Sequence, residues 1–378
     1  MTSGAFARYE RTLAGLDRRG RRRELASGDG VDFTSNDYLA LADSPRLKAA
    51  IVAAIDRGVP VGAGGSRLLR GNHPEHEALE AEAAEFFGAG RALFFGSGYA
   101  ANVALFSTLP QRDDIIVHDA LIHASAHEGI AASKAPAVAV PHNDADAFAE
   151  AIRKWRAAGG RGRPWIAVES LYSMDGDRAP LAELAAIAER HDGFLVIDEA
   201  HATGVFGPGL SATLEGRDNI LALHTCGKAL GVSGALLGVN AVLCDYLVNR
   251  ARGFIYSTAP SPLIAAAVRE ALRILADEPH RRAAFDELRA FANEALAARL
   301  GFKGSGTQIL PVMIGDNARA VKIAARLRSE GFDIRAIRPP TVPEGTARLR
   351  IAITLNVDRS AITEMLERLE IAMAEEQP

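Results

Sequence analysis

With 378 residues, 48% of them apolar, and a net charge of −4, the chain can build one large domain and a smaller one, and it has no general attraction for nucleic acid or an anionic membrane surface. Two cysteines, Cys226 and Cys244, exclude a disulfide framework and suit a reducing, cytoplasmic setting. No apolar run reaches the length of a membrane span, and the first ten residues lack the apolar stretch of a signal peptide.

Residues 1–36 form an N-terminal segment with a short amphipathic stretch and a basic run, Arg18, Arg19, Arg21, Arg22 and Arg23. That run reads equally as a solvated segment or as a contact for a substrate anion. Asp43-Ser44-Pro45 predicts an N-cap with proline at the first helical position, opening a helix to about residue 57. Pro74 opens another, with Gly88 at its C-cap. Strands and helices then alternate: strands at 92–95, 115–117, 137–140, 165–168, 194–198 and 220–223, and helices at 99–109, 123–132, 144–157 and 180–191. Continuous apolar strands separated by helices predict an α/β fold, a mostly parallel sheet covered on both faces. The pattern changes after about residue 262. Helices at 263–276 and 280–300 precede strands at 309–314, near Ile334 and at 348–354, with helices at 318–330 and 360–374. The organisation expected is an N-terminal segment 1–36, a large domain 37–268 and a smaller α+β domain 269–378.

Several local patterns could carry chemistry. Gly96-x-Gly98-x-x-Ala101 lies between a strand and a helix, where backbone N–H groups can hold a dinucleotide, hold another phosphate, or make a tight turn. Asp198-Glu199-Ala200-His201 ends an apolar strand. It spells a helicase motif, but the phosphate loop that reading needs is missing: around Gly227-Lys228, Ala222 and Ala229 replace the required Gly and Ser/Thr. His118, His123, His127 and His201 suggest a metal, but no Glu lies between His123 and His127 as in the zinc-protease helix. Lys228, among Gly227, Ala229, Leu230, Gly231 and Gly234, can form a Schiff base with an aldehyde. An acid at a strand end could hold a pyridinium nitrogen, and the Gly98 turn a phosphate, so pyridoxal 5'-phosphate accounts for the lysine, the acid and the turn at once.

Asp198-x-x-His201 followed by Thr225-x-x-Lys228 resembles the pyridoxal-phosphate site of the α-oxoamine synthases, of the aspartate-aminotransferase-like fold type I. Further matching stretches are 35–39, 62–67, 96–102, 123–125, 173–177 and 255–258. The resemblance implies a large domain with a mostly parallel seven-stranded sheet and a smaller C-terminal α+β domain. It implies that Lys228 carries the cofactor and moves the substrate proton, that Asp198 binds the pyridine nitrogen, and that His201 bonds the phenolic oxygen. His123 would stack on the ring and Ser173 lie near the phenolic oxygen and substrate. Gly98, Tyr99 and Thr225 would hold the phosphate, with Ser257 and Thr258 reaching it from the partner of a homodimer with a shared active site. Asn36 and Arg350 would bind the amino-acid carboxylate, and Arg21 and Arg338 the acyl chain or its carrier. The stretches 337–343 and 345–350 are most similar to the branch that condenses L-alanine with a pimeloyl thioester, on acyl carrier protein or coenzyme A, to 8-amino-7-oxononanoate in biotin biosynthesis. Another branch of the family, a nicotinamide-dependent oxidoreductase and a non-catalytic scaffold are the alternatives.

Overall fold

A computed structural model describes residues 4–25 and 27–376. Two compact units emerge: one takes both ends of the chain, up to Ser35 and from Glu287, together with Met174–Gly176, and the other takes Asn36–Ser173 and Asp177–Asp286.

The larger unit is built on a seven-stranded sheet. Its strands are β1 (Arg91–Phe95), β2 (Ile115–Asp119), β3 (Ala137–Val140), β4 (Pro164–Glu169), β5 (Phe194–Asp198), β6 (Ile220–Thr225) and β7 (Ala235–Val239), in the spatial order β1-β7-β6-β5-β4-β2-β3. From β3 to β6 every pairing is parallel, and β7 runs antiparallel to both its neighbours. Two apolar clusters cover the sheet. Phe106, Ile116, Trp165 and Val196 belong to one, and Val117, Phe148, Ile166 and Ile197 to the other. Consecutive residues of β4 and β5 thus point to opposite faces, so both faces must be apolar and the strands read as unbroken hydrophobic runs.

Local signals set the helix ends. Pro45 starts the helix Pro45–Asp56, although the Ser44 hydroxyl makes no capping bond there. Ser97 caps Gly98–Thr108, its hydroxyl accepting the Ala100 N–H at 3.1 Å. Gly88, at φ +63°, follows Pro74–Phe86 in the left-handed conformation expected of a C-terminal glycine. The helix Pro262–Asp277 packs on Pro45–Asp56 and Pro74–Phe86, and position 268/269 lies within it.

Two segments depart from the expected pattern. β7 and the helix Ala241–Arg250 follow where no element is predicted. The strand expected near Ile334 is two short ones: Phe332–Asp333 pairs in parallel with Val31–Asp32, and Arg335–Ile337 pairs antiparallel with Ala347–Ala352. That second pair continues to Ile309–Gly315, giving the smaller unit a three-stranded antiparallel sheet beside the helices Asn317–Ser329 and Arg359–Glu375. Among the described residues no helix is long and apolar enough to cross a membrane.

Candidate functional site

Parallel strands deliver their carboxyl ends to one edge of the sheet, where α/β proteins place their chemistry. Here that edge carries Glu169 from β4, Asp198 from β5 and Thr225 from β6. The turn after β1 leads into Gly98, and an added Cβ at Gly98 would lie 3.8 Å from the Thr225 hydroxyl. The first intrahelical bond runs from Ala101 N–H to Ser97 C=O, so the Gly98 and Tyr99 amides precede it and face outward as helix-start donors.

Lys228 sits in the turn between β6 and β7. Gly231 N–H bonds Lys228 C=O at 2.8 Å, Val232 N–H bonds Cys226 C=O at 2.9 Å, and Cys226 N–H bonds Gly234 C=O at 2.9 Å. Gly231 has φ +65°, and a Cβ there would fall 2.4 Å from the backbone of Leu41 and Ala42, so only glycine lets this turn close.

A hydrogen-bonded chain runs away from the lysine. Lys228 Nζ lies 2.8 Å from His201 Nε2, His201 Nδ1 lies 2.6 Å from the Tyr38 hydroxyl, and that hydroxyl donates to Asn36 Oδ1 at 2.9 Å. The direction follows from valence. Tyr38 spends its proton on Asn36, so it accepts from His201 Nδ1–H, which leaves Nε2 as the acceptor facing the lysine. Tyr38 is fully buried and His201 nearly so.

A second chain runs through the acid. Asn102 Nδ2 donates to Asp198 Oδ2 at 2.9 Å and to Ser125 Oγ at 2.9 Å. Ser125 Oγ in turn lies 2.8 Å from His123 Nδ1, which also accepts the Ser125 N–H at 3.2 Å. Burial lowers the His123 pKa, the nearby Lys228 charge lowers it further and Asp198 opposes both, so a neutral ring is favoured. The helices Gly98–Thr108 and Ala124–Ala131 that carry this chain touch closely at Gly129, where a Cβ would meet Asn102 C=O at 2.8 Å.

Lys228, His201, Asn36, Asp198 and His123 therefore fall into two hydrogen-bonded chains. Ser173, just beyond β4, donates its N–H to Glu169 at 3.1 Å. Ser257 and Thr258 are exposed, after the short helix Arg252–Ile255. Arg350 is buried in the Ala347–Ala352 strand of the other unit. There too, Arg21 pairs with Glu344 and Arg338 bonds Gly20 C=O, beside a cavity of about 600 Å³ that Arg19, Arg22 and Arg23 also line. His118 and His127 meet edge-on, with ring centres 5.1 Å apart, while His201 turns to the lysine.

Sequence reasoning gave no role to Tyr38, Asn102, Ser125 or Glu169. For Glu169 a signal existed: the apolar run 165–168 ends in an acid just as 194–197 does. The donor set suits pyridoxal phosphate. A lysine amine, a carboxylate held by two donors, and helix-start amides beside a hydroxyl match its aldehyde, ring nitrogen and phosphate.

A profile of the family "aminotransferase class I and II" matches residues 28–369. An 8-amino-7-oxononanoate synthase from Anaeromyxobacter dehalogenans is 41% identical, with 100% of this chain and 98% of that protein covered. A serine palmitoyltransferase from S. paucimobilis with a bound PLP–myriocin aldimine superposes with a TM-score of 0.89 at 24% identity, covering 100% of this chain and 99% of that one. An 8-amino-7-oxononanoate synthase from Francisella tularensis superposes with a TM-score of 0.74 at 28% identity, covering 90% and 97%.

Proposed function

Since the chain belongs to the class I and II aminotransferase family, of pyridoxal-phosphate enzymes with fold type I, we propose that it catalyses the decarboxylative condensation of L-alanine with a pimeloyl thioester in biotin biosynthesis. The products are 8-amino-7-oxononanoate, carbon dioxide and the free thiol of the carrier. The observation that carries this reading is the meeting, at one sheet edge, of the Lys228–His201–Tyr38–Asn36 chain with Asp198 on β5, in a chain similar over its full length to synthases of that name.

Pyridoxal phosphate, when bound, supplies an electron sink for the carbanion at the amino acid's α-carbon. Lys228 Nζ is the group to hold it covalently. Once freed, the same amine takes the α-proton of alanine and later returns a proton to the product. Its proton can pass to His201 Nε2, 2.8 Å away, whose other nitrogen is held by Tyr38. Asp198 is the partner for the ring nitrogen, and the ring of His123 the stacking face. Gly98, Tyr99 and Thr225 would be the phosphate donors, and Ser173 would lie near the phenolic oxygen and substrate. Asn36 and Arg350 would take the alanine carboxylate, for which a guanidinium fork is suited. Arg21 and Arg338 would face the acyl chain or its carrier. Ser257 and Thr258, exposed in the single chain, would complete the phosphate site of a second subunit in a cytoplasmic homodimer.

The test is a product assay that crosses alanine, glycine and serine with pimeloyl, acetyl and succinyl thioesters. The highest kcat/KM is expected for alanine with the pimeloyl thioester. Preference for glycine with an acetyl or succinyl thioester would move the enzyme to another branch.

A further inference from the structure

Both β4 and β5 end in an acid. Glu169 and Asp198 are register partners across this parallel pair, so their side chains leave the sheet on the same face. Their surroundings differ. Asp198 Oδ1 accepts the Ala200 N–H at 3.0 Å and Oδ2 accepts Asn102 Nδ2 at 2.9 Å. Glu169, 3% exposed, accepts one N–H, from Ser173 at 3.1 Å on Oε2. Its Oε1 is buried without a hydrogen-bond partner.

An anionic oxygen with no donor is costly in a dry interior, whereas a carboxylic acid O–H at the same place carries no charge to solvate. Two neighbouring carboxyl groups also disfavour double ionisation, and the proton goes to the one less well supplied with donors. Burial and then the Asp198 charge raise Glu169 to a pKa of about 8, against the pull of Lys228 and the Ser173 N–H, with Asp119 adding to the rise. The Tyr172 hydroxyl, also buried, brings no positive charge. A cavity of about 10 Å³ borders Glu169, Asp198, Asn102 and His123, close to the smallest space that holds one water.

We infer that Glu169 is a positioning residue that carries a proton on Oε1 in the working site, leaving Asp198 as the one anion of the pair available to the cofactor's ring nitrogen. The link to the ring rests on the cofactor role proposed for Asp198. The place of the proton does not, since it follows from the donors around the two acids.

Infrared difference spectra of unloaded wild-type protein against Glu169→Gln test the protonation. A carboxylic-acid C=O band is expected at neutral pH, bleaching as the pH rises through about 8. Carboxylate bands alone at neutral pH would overturn the inference. Glu169→Met provides the subtraction should the glutamine variant not fold. The positioning role is read in cofactor-loaded protein, where a step in the visible absorbance at the midpoint of the infrared change should vanish in Glu169→Gln. A step that persists in that variant would reject the role. Failure of the wild type to take up pyridoxal phosphate would sink the proposed function and leave the infrared result standing.

Discussion

Lys228 and Asp198 belong to hydrogen-bonded chains whose members the sequence places far apart. Tyr38 is 163 positions from His201, and Asn102 is 96 from Asp198, yet each makes a hydrogen bond that orients its partner. Tyr38→Phe keeps the ring and removes both the acceptor for His201 Nδ1–H and the donor to Asn36 Oδ1. Each neutral hydrogen bond lost costs about 1 kcal/mol, so kcat/KM should fall at least roughly fivefold. An unchanged steady-state rate would show that His201 needs no such support. Asn102→Ala removes a donor to the Asp198 carboxylate and leaves Ser125 short of one. The loss should exceed that of Tyr38→Phe, because a bond to a charged group contributes about 1.5–3 kcal/mol. Cofactor titration of the variant should show weaker binding, and wild-type affinity would contradict the chain drawn through Asn102. Asp198 stood out because it ends an apolar strand run with an acid, and Lys228 because it is a lysine among small and apolar residues in the turn after the next strand. Tyr38 and Asn102 did not, since a tyrosine and an asparagine in helical or loop stretches carry no such contrast and acquire a role only when the chain folds.

Among the elements, the end of β2 is tied to the segment after β4 by a histidine. His142 Nδ1 lies 2.9 Å from Asp119 Oδ1, and Nε2 lies 2.7 Å from Asp177 Oδ2. Burial alone would lower its pKa, but the hydrogen bonds to Asp119 and Asp177 raise it to about 10. The ordinary value is about 6.5, so the stabilisation is fully present below that pH and is lost as the pH rises through 10. Wild-type Tm should therefore fall between neutral pH and pH 10, and His142→Phe, lower by about 2 kcal/mol at neutral pH, should lose much less over that interval. Parallel pH curves for the two proteins would show that His142 is not the group responsible. Gly231→Ala tests the lysine turn. With φ +65° and a backbone contact at 2.4 Å, the substitution has no relaxed form, and a cost of about 1–3 kcal/mol in unfolding free energy with weakened cofactor binding is expected. A variant as stable as wild type would show that the turn opens freely. The helices and parallel strands were legible because a continuous apolar run and a proline or glycine at its end are local signals. β7 escaped because it starts directly after Gly234 and contains Gly238, so a strand that pairs with both β1 and β6 reads locally as more of a glycine-rich loop.

For the whole molecule, alternating strands and helices announced the α/β sheet, but pairings between distant segments had no local trace. Val31–Asp32 joins Phe332–Asp333, so the start of the chain belongs with its end. The dimer proposal lives at this scale. If Ser257 and Thr258 serve the neighbouring subunit, a mixture of Lys228→Ala chains with Thr258→Ala, Ser257→Ala chains forms heterodimers that each hold one intact site. Mixing two inactive homodimers after subunit exchange should restore about a quarter of wild-type activity under random pairing. No recovery in a mixture shown to contain heterodimers would place these residues within their own subunit's site, or outside any. The central claim is that Lys228 holds pyridoxal phosphate, and borohydride reduction of cofactor-loaded protein followed by peptide mapping tests it most directly. The label is predicted on Lys228, and a label on Lys48, Lys134, Lys154, Lys303 or Lys322 in its place, or none at all, would contradict the account.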